Sequence, residues 1–325
     1  MAQAIFHCST LGYKMSKKIL VSILMPMRNA ETYVAESISS LLQQTYSNFE
    51  LVIVNDGSTD KSQFIAESFL DSRIKMVMGE GKGVSAALNI GLGIAQGKYI
   101  CRCDADDLYP SGRLKDQVEW LEDHSNHIAV SGKFSSIDEK SSIISEFNTG
   151  DEACDITQEL LNGSTRTTLC SYLVRRDAMA NLNGYREYFI TAEDIDMQLR
   201  LAEKGSVGYI PNNMYFYRIH NDSITHVQSS NKRVFYERLA RDFSKQRLKM
   251  GQDDLQRGNA PEPPVIDNKS TDSVMQIIGY MIGESWRLHR EKKKLAALSV
   301  SVKACIKKPF YWLVWKNIIM ILIKR

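Results

Sequence analysis

Ile100-Cys101-Arg102-Cys103-Asp104-Ala105-Asp106-Asp107 decides the fold, because an apolar run stops there in three carboxylates within four positions. Carboxylates at that density repel one another, and they are tolerated in solvent or where a divalent cation and a polyphosphate share the charge. Tyr99 to Cys103 reads as a short buried strand, and open α/β sheets present ligand groups at the carboxyl ends of such strands. Two earlier runs end in a similar way. Ile19 to Met25 is apolar and β-rich and is closed by Pro26, while Phe49 to Val54 runs into the polar turn Asn55-Asp56-Gly57-Ser58-Thr59-Asp60.

Helical patterns separate these runs. Val34, Ile38, Leu41 and Leu42 repeat at helical spacing, another helix follows from about Ser62, and Val84 to Ala95 is a small-residue helix after the strand Ile74 to Met78. The alternation βαβαβαβ, with crossovers long enough for parallel pairing, predicts an α/β fold: a doubly wound, mostly parallel sheet with helices on both faces. Beyond the acidic cluster, Leu114, Val118 and Leu121 mark a helix. Strands are expected over Ala129 to Phe134, Ile143 to Phe147, Leu169 to Val174, Val207 to Ile210 and Met214 to Tyr217. Asn183 to Glu187 reads as a turn, and Ile195, Leu199 and Ala202 put an apolar stripe on a helix beginning near Thr191.

Composition narrows the class. The 325 residues are 43% hydrophobic and 24% charged with a net charge of +3, which excludes wholesale disorder and a chain built mainly to bind nucleic acid. The six cysteines have no paired spacing, and no hydrophobic segment precedes a cleavage-like site, so a reducing cytoplasm is the expected compartment. Cys101 and Cys103 lack the second pair that a zinc site needs. Residues 1–18 are expected to be a loose leader and 19–225 the main domain. Residues 226–325 should form a basic helical region with a mobile linker near 251–272, where Ala260-Pro261-Glu262-Pro263-Pro264 holds three prolines. The tail 309–325 is aromatic and aliphatic between lysines. A span needs about 20 apolar residues and Lys316 interrupts this run. Two readings stand for it: an interfacial helix giving peripheral contact with the inner face of the cytoplasmic membrane, or a hydrophobic helix packed on the domain or a partner.

Four ordered motifs carry a resemblance. Ser22-Ile23-Leu24-Met25-Pro26-Met27-Arg28-Asn29, Val54 to Asp60, Asp104-Ala105-Asp106-Asp107 and Ala192-Glu193-Asp194 stand in the order and rough spacing of the family 2 glycosyltransferases with the GT-A fold. Asn89-Ile90-Gly91 and Gly184-Tyr185-Arg186-Glu187 are similar to that family as well, and the match covers about residues 19 to 225. The resemblance implies an inverting, Mn²⁺- or Mg²⁺-dependent enzyme of cell-surface polysaccharide biosynthesis. It would move one sugar from a nucleotide sugar, most simply a UDP-sugar, to a hydroxyl of a glycan or lipid-linked glycan.

By the same resemblance Asp56 would read the uracil and Pro26 would shape the loop around the base, with Asn29 on the nucleotide side. Asp104 would approach ribose or metal, and Asp106 would ligate the metal. His220 is either a further metal ligand or a satisfied structural histidine, and Arg218 could meet phosphate. Asp194 would be the general base that takes the acceptor's proton, with Glu193 as its local competitor. Thr191-x-x-Asp194 also fits a capping box, which would leave Asp194 a purely structural role. Gly81-Lys82-Gly83 and Ala87-Leu88-Asn89 depart from the Asn-x-Gly and Ala-Arg-Asn of many relatives. No Gln-x-x-Arg-Trp follows Asp194, which speaks against a processive polymer synthase. Two rivals remain: a polyprenyl-phosphate sugar synthase, whose nucleophile is already anionic, and a catalytically silent GT-A scaffold.

Overall fold

The structure, a computed structural model, describes residues 21–147, 149–220, 230–263, 273–290 and 292–324. The leader expected over 1–18 lies outside them. The first half alternates β1 (Val21–Met27), α1 (Val34–Leu42), β2 (Phe49–Asn55), α2 (Ser62–Glu67), β3 (Ile74–Met78), α3 (Val84–Ile94) and β4 (Tyr99–Arg102). Then come α4 (Arg113–Asp123), β5 (His127–Ile137), β6 (Ile143–Glu146), β7 (Cys154–Asp155), α5 (Thr157–Leu161), β8 (Leu173–Arg175), α6 (Arg176–Asn181), α7 (Glu193–Ala202) and β9 (Ser206–Arg218). The elements described after these are helices: α8 (Ser230–Met250), α9 (Ser273–Arg290), α10 (Lys294–Lys307) and α11 (Trp312–Ile323).

One sheet runs β3-β2-β1-β4-β8-β5-β9-β7, with β6 also on β5. Its β3-β2-β1-β4 half is parallel, as the alternation requires. The other half is mixed: β8 is antiparallel to both β4 and β5, whereas β5 and β9 run parallel. Leu169–Ser171, expected to be strand, is a 3-10 turn ahead of the short β8, and the two strands expected over Val207 to Tyr217 are one continuous β9.

Each strand sends alternate residues to opposite faces. Ile23, Met25, Leu51, Ile53 and Cys101 meet Ile38 and Leu41 of α1 and Leu114 and Val118 of α4 on one face. Leu24, Val52, Val54 and Ile100 meet Ala87 and Leu88 of α3, Leu199 of α7 and Phe243 of α8 on the other. Within the stretch expected to be a mobile linker, Asp253 is buried between Arg186 and Arg247 while residues 256–259 and 261–263 are exposed, and Arg186 also pairs with Asp196 of α7. These charges satisfy one another and tie α8 and the turn after it to α7. Residues 264–272 lie outside the described residues. A third core joins Ile144 and Ile219 at the end of β9 to Ile277, Ile278 and Met281 of α9 and Val314 of α11. Among the described residues no helix is long and apolar enough to cross a membrane.

Candidate active site

The expected nucleotide-side residues collect at the carboxyl ends of β1 and β2. Asn29, with a positive φ of 50°, accepts the Thr59 N–H at 2.8 Å, and its own N–H reaches Ser58 Oγ at 3.1 Å. The loops after β1 and β2 are thereby joined. Pro26, half-buried, sits opposite Val54 in the register. Asp56 is buried and accepts the backbone N–H groups of Gly81 and Gly83, each at 2.8 Å. Both glycines have positive φ, so the departure Gly81-Lys82-Gly83 is the segment that curls around the Asp56 carboxylate. Each oxygen keeps a further acceptor site.

The acidic cluster follows β4 at the switch point where β1 has β2 on one side and β4 on the other. Its three carboxylates have separate surroundings. Asp107 is fully buried, accepting from Tyr215 Oη and from the Arg218 N–H at 2.6 Å each. Burial, then the neighbouring Asp106 and Asp104, push its carboxyl well above the usual range. It fastens the cluster to β9. Asp104 lies against Arg102, whose Nε and Nη2 reach its two oxygens at 2.6 and 3.0 Å. Asp106 is partly exposed, and its Oδ2 is 2.8 Å from His220 Nε2.

Arg218, which the resemblance offered for phosphate, is fully buried and spent within the protein. It donates to the Asp106 carbonyl at 2.7 Å, the Asp138 carbonyl and Ser141 Oγ at 3.0 Å each, and Glu36 at 2.7 Å, with Tyr33 against its face. That expectation is corrected: a guanidinium with no exposed surface braces the loop that carries Asp106 and cannot meet a phosphate in this conformation.

On the other flank, Asn89 of α3 binds both backbone polar groups of Tyr185, at 2.8 and 2.9 Å, and Ser85 donates to the Phe189 carbonyl. Two motifs singled out in the sequence are thus halves of one contact, which positions the 183–190 segment and the start of α7. The N-cap of α7 is Ala192 in the left-handed region, and no side chain caps the helix, so the capping box over Thr191 and Asp194 does not form. Glu193 is buried and holds Arg102 Nη1 at 2.8 Å. As competitor for the base it is corrected, because its carboxylate is buried and engaged in an ion pair with Arg102 rather than open to an acceptor hydroxyl. Asp194, half-buried, is pushed up to about 6 by burial and by Glu193, with Arg102 and the Ile195 N–H opposing.

Arg102 therefore links Asp104 to Glu193, and the sequence reading passed over it. Its signal was present: strand alternation puts Arg102 and Asp104 on the same face as Ile100, the face that α7 covers. A charged residue in that register calls for a buried counter-ion.

Among the described residues, no three His, Cys, Asp or Glu side chains are already gathered as a metal cage. Asp106 and His220 nevertheless fit a hard divalent ion. Mg²⁺ and Mn²⁺ take one or two carboxylates, with phosphates and waters completing the shell, so Asp106 would be the main donor and the His220 imidazole a secondary one. His220 Nδ1 is buried without a hydrogen-bond partner among the described residues. Asp104 is the weaker donor, since Arg102 already occupies both of its oxygens.

The mixed sheet thus carries polar loops at the carboxyl ends of its parallel strands and a buried carboxylate–arginine cluster on the flank that α7 covers. Comparison at the level of families matches residues 22–177 to "Glycosyl transferase family 2". An uncharacterized glycosyltransferase of Haemophilus influenzae is 32% identical over 238 residues, covering 69% of this chain and 72% of its own. The chain belongs to glycosyltransferase family 2. The Escherichia coli enzyme WfgD, named as a UDP-Glc:alpha-D-GlcNAc-diphosphoundecaprenol beta-1,3-glucosyltransferase, is 43% identical over 103 residues, which are 31% of this chain and 41% of that one. Staphylococcus aureus TarS, residues 1–349 in complex with UDP-GlcNAc, shares the fold with a TM-score of 0.59 at 17% identity, over 89% of this chain and 81% of that one. The family match ends before Asp194, Arg218 and His220, so their roles rest on geometry.

Proposed function

We propose that this glycosyltransferase moves a single sugar from a UDP-sugar to a hydroxyl of a glycan or lipid-linked glycan, with inversion, in the assembly of a cell-surface polysaccharide. The carrying observation is Asp194: half-buried, uncapped, with a carboxyl raised to about 6, beside a Glu193 that Arg102 has removed from competition. A base whose pKa lies just below neutral is mostly ionised yet still basic enough to take a proton. The choice of UDP draws support from TarS, bound to UDP-GlcNAc, and from the UDP-glucose named for WfgD, whose named acceptor is lipid-linked.

Each residue has a task in that reaction. Asp56, held by Gly81 and Gly83, presents its remaining acceptor sites to the base N–H. Asp106 and His220 would hold Mn²⁺ or Mg²⁺, which supplies neutralisation of the charge on a departing diphosphate. The acceptor hydroxyl gives its proton to a carboxylate oxygen of Asp194 as its oxygen bonds to the anomeric carbon. The bond from that carbon to the diphosphate breaks on the opposite face, through an oxocarbenium-like state. Donor and acceptor thus become glycoside, nucleoside diphosphate and a proton.

The test measures nucleoside diphosphate release across a panel of nucleotide sugars, with and without EDTA. Release from a UDP-sugar, abolished by EDTA and restored by Mn²⁺, is expected. Turnover on the natural acceptor that survives Asp194→Asn would sink the base assignment and favour transfer to a polyprenyl phosphate. No turnover of any nucleotide sugar would favour a scaffold.

A further inference from the structure

The third core gives α11 two unlike faces. Val314, Asn317 and Ile321 point inward, and Asn317 Nδ2 donates to Ser285 of α9 and Ser301 of α10 at 2.9 Å each, which fixes the rotation of the helix. The opposite stripe is left in solvent: Trp312, Trp315, Ile319 and Leu322 are each more than half exposed, and Phe310 in the preceding turn is 99% exposed. The structure thus joins the two readings of this tail, since one face packs on the protein and the other is left uncovered by the described residues. Pro309, Phe310, Trp312, Trp315, Lys316 and Ile319 line a groove of about 530 Å³ there. Nine of the eighteen large apolar side chains exposed among the described residues fall within residues 295–323, so the patch is concentrated rather than scattered.

Charge selects its occupant. Residues 292–324 contain eight lysines and no acidic residue. A second copy docked on this face would bring two such sets together, whereas an anionic surface would be drawn to them. Tryptophans beside lysines suit the boundary between lipid headgroups and acyl chains, where aromatic rings and long cationic stems bury their apolar parts and keep their polar ends wet. At 12 residues α11 is too short to span a bilayer and has the form of a helix lying in its surface.

We propose that the outward stripe of α11, with Phe310 before it, is a docking face for an anionic lipid bilayer. Trp312, Trp315 and Ile319 enter the headgroup boundary while the lysines of α10 and α11 hold the anionic lipids. The same three-helix unit packs through α9 on Ile219, the residue before His220, so the docked face is mechanically joined to the catalytic end of the sheet. Docking is read without turnover and stands or falls apart from the catalytic reading.

The experiment floats the full chain on vesicles of phosphatidylcholine alone and of phosphatidylcholine mixed with phosphatidylglycerol. It is repeated for Trp312→Ala with Trp315→Ala and for Lys307→Gln with Lys308→Gln. Wild type should float with the anionic vesicles, less so at high salt, and little with the neutral ones. The tryptophan variant should lose about tenfold or more in affinity, since each ring loses apolar contact, and the lysine variant a smaller amount. Unchanged urea midpoints for both variants establish that the fold is kept, Lys307, Trp312 and Trp315 being exposed and Lys308 half-buried. Absent flotation, equal flotation on neutral vesicles, equal flotation of the tryptophan variant, or a wild-type dimer that the tryptophan variant abolishes would each overturn the proposal.

Discussion

Replacing Asp194 with asparagine should cost activity and raise stability together. Burial and Glu193 lift the Asp194 carboxyl to about 6, above the ordinary aspartate value of 3.8. A base must be ionised, so kcat/KM should fall as pH drops through about 6, by about tenfold per unit below it. Asp194→Asn should lose about 10²–10⁴-fold in kcat/KM at neutral pH and abolish that acid limb. The stability sign follows from linkage. The unfolded chain ionises this group near pH 4 and the folded chain near pH 6, so the folded state carries no penalty below 4, a growing one between 4 and 6, and the full penalty above 6. A shift of this size corresponds to at most about 3 kcal/mol, reduced by the partial exposure of the carboxyl. Urea unfolding should therefore show Asp194→Asn more stable than wild type at pH 7.5 and equal to it near pH 4. A variant less stable at neutral pH, or an acid limb that persists in the variant, would refute the reasoning.

Two further substitutions probe what supports the base. Arg102→Met leaves Asp104 and Glu193 without their shared cation; it should cost about 3–5 kcal/mol in urea unfolding. In protein still folded it should move the acid limb upward, because Arg102 holds Asp194 down. Arg102→Lys should recover only part of both, since a point charge cannot span two carboxylates as a guanidinium does. Gly97→Ala should cost about 1–3 kcal/mol, because the new Cβ meets backbone atoms of Ser22 and Val21 at 2.5 and 2.7 Å. Its kcat per folded molecule should be unchanged, as the contact lies at the end of the sheet away from the site.

The parallel half of the sheet was legible because β1, β2 and β4 are buried on both faces and end in polar loops, a pattern that survives without any knowledge of partners. The mixed half was less so. Leu173–Arg175 is only three residues, and its place between β4 and β5 depends on long-range pairing that leaves no local periodicity. Residue types that converge on charge were also legible, but not their division of labour. Arg218 reads as a phosphate ligand from its motif and is a buried brace, because what decides between the two is the set of acceptors around it. Those come from residues 36, 106, 138 and 141.

That division can be followed through the carboxylates. Asp107 is committed to Tyr215 and the backbone of β9, Asp104 and Glu193 share Arg102, and Glu36 is paired with Arg218. Asp106 and Asp194 are left, the first partly exposed beside His220 and the second half-buried with a raised pKa. Transfer with inversion needs two groups on opposite sides of the anomeric carbon: one serving the leaving diphosphate, the other the incoming hydroxyl. Arg102 enforces this arrangement. By pairing with Asp104 and Glu193 it ties down the carboxylate neighbouring each working one, and it opposes, without cancelling, the repulsion from Glu193 that lifts the Asp194 carboxyl.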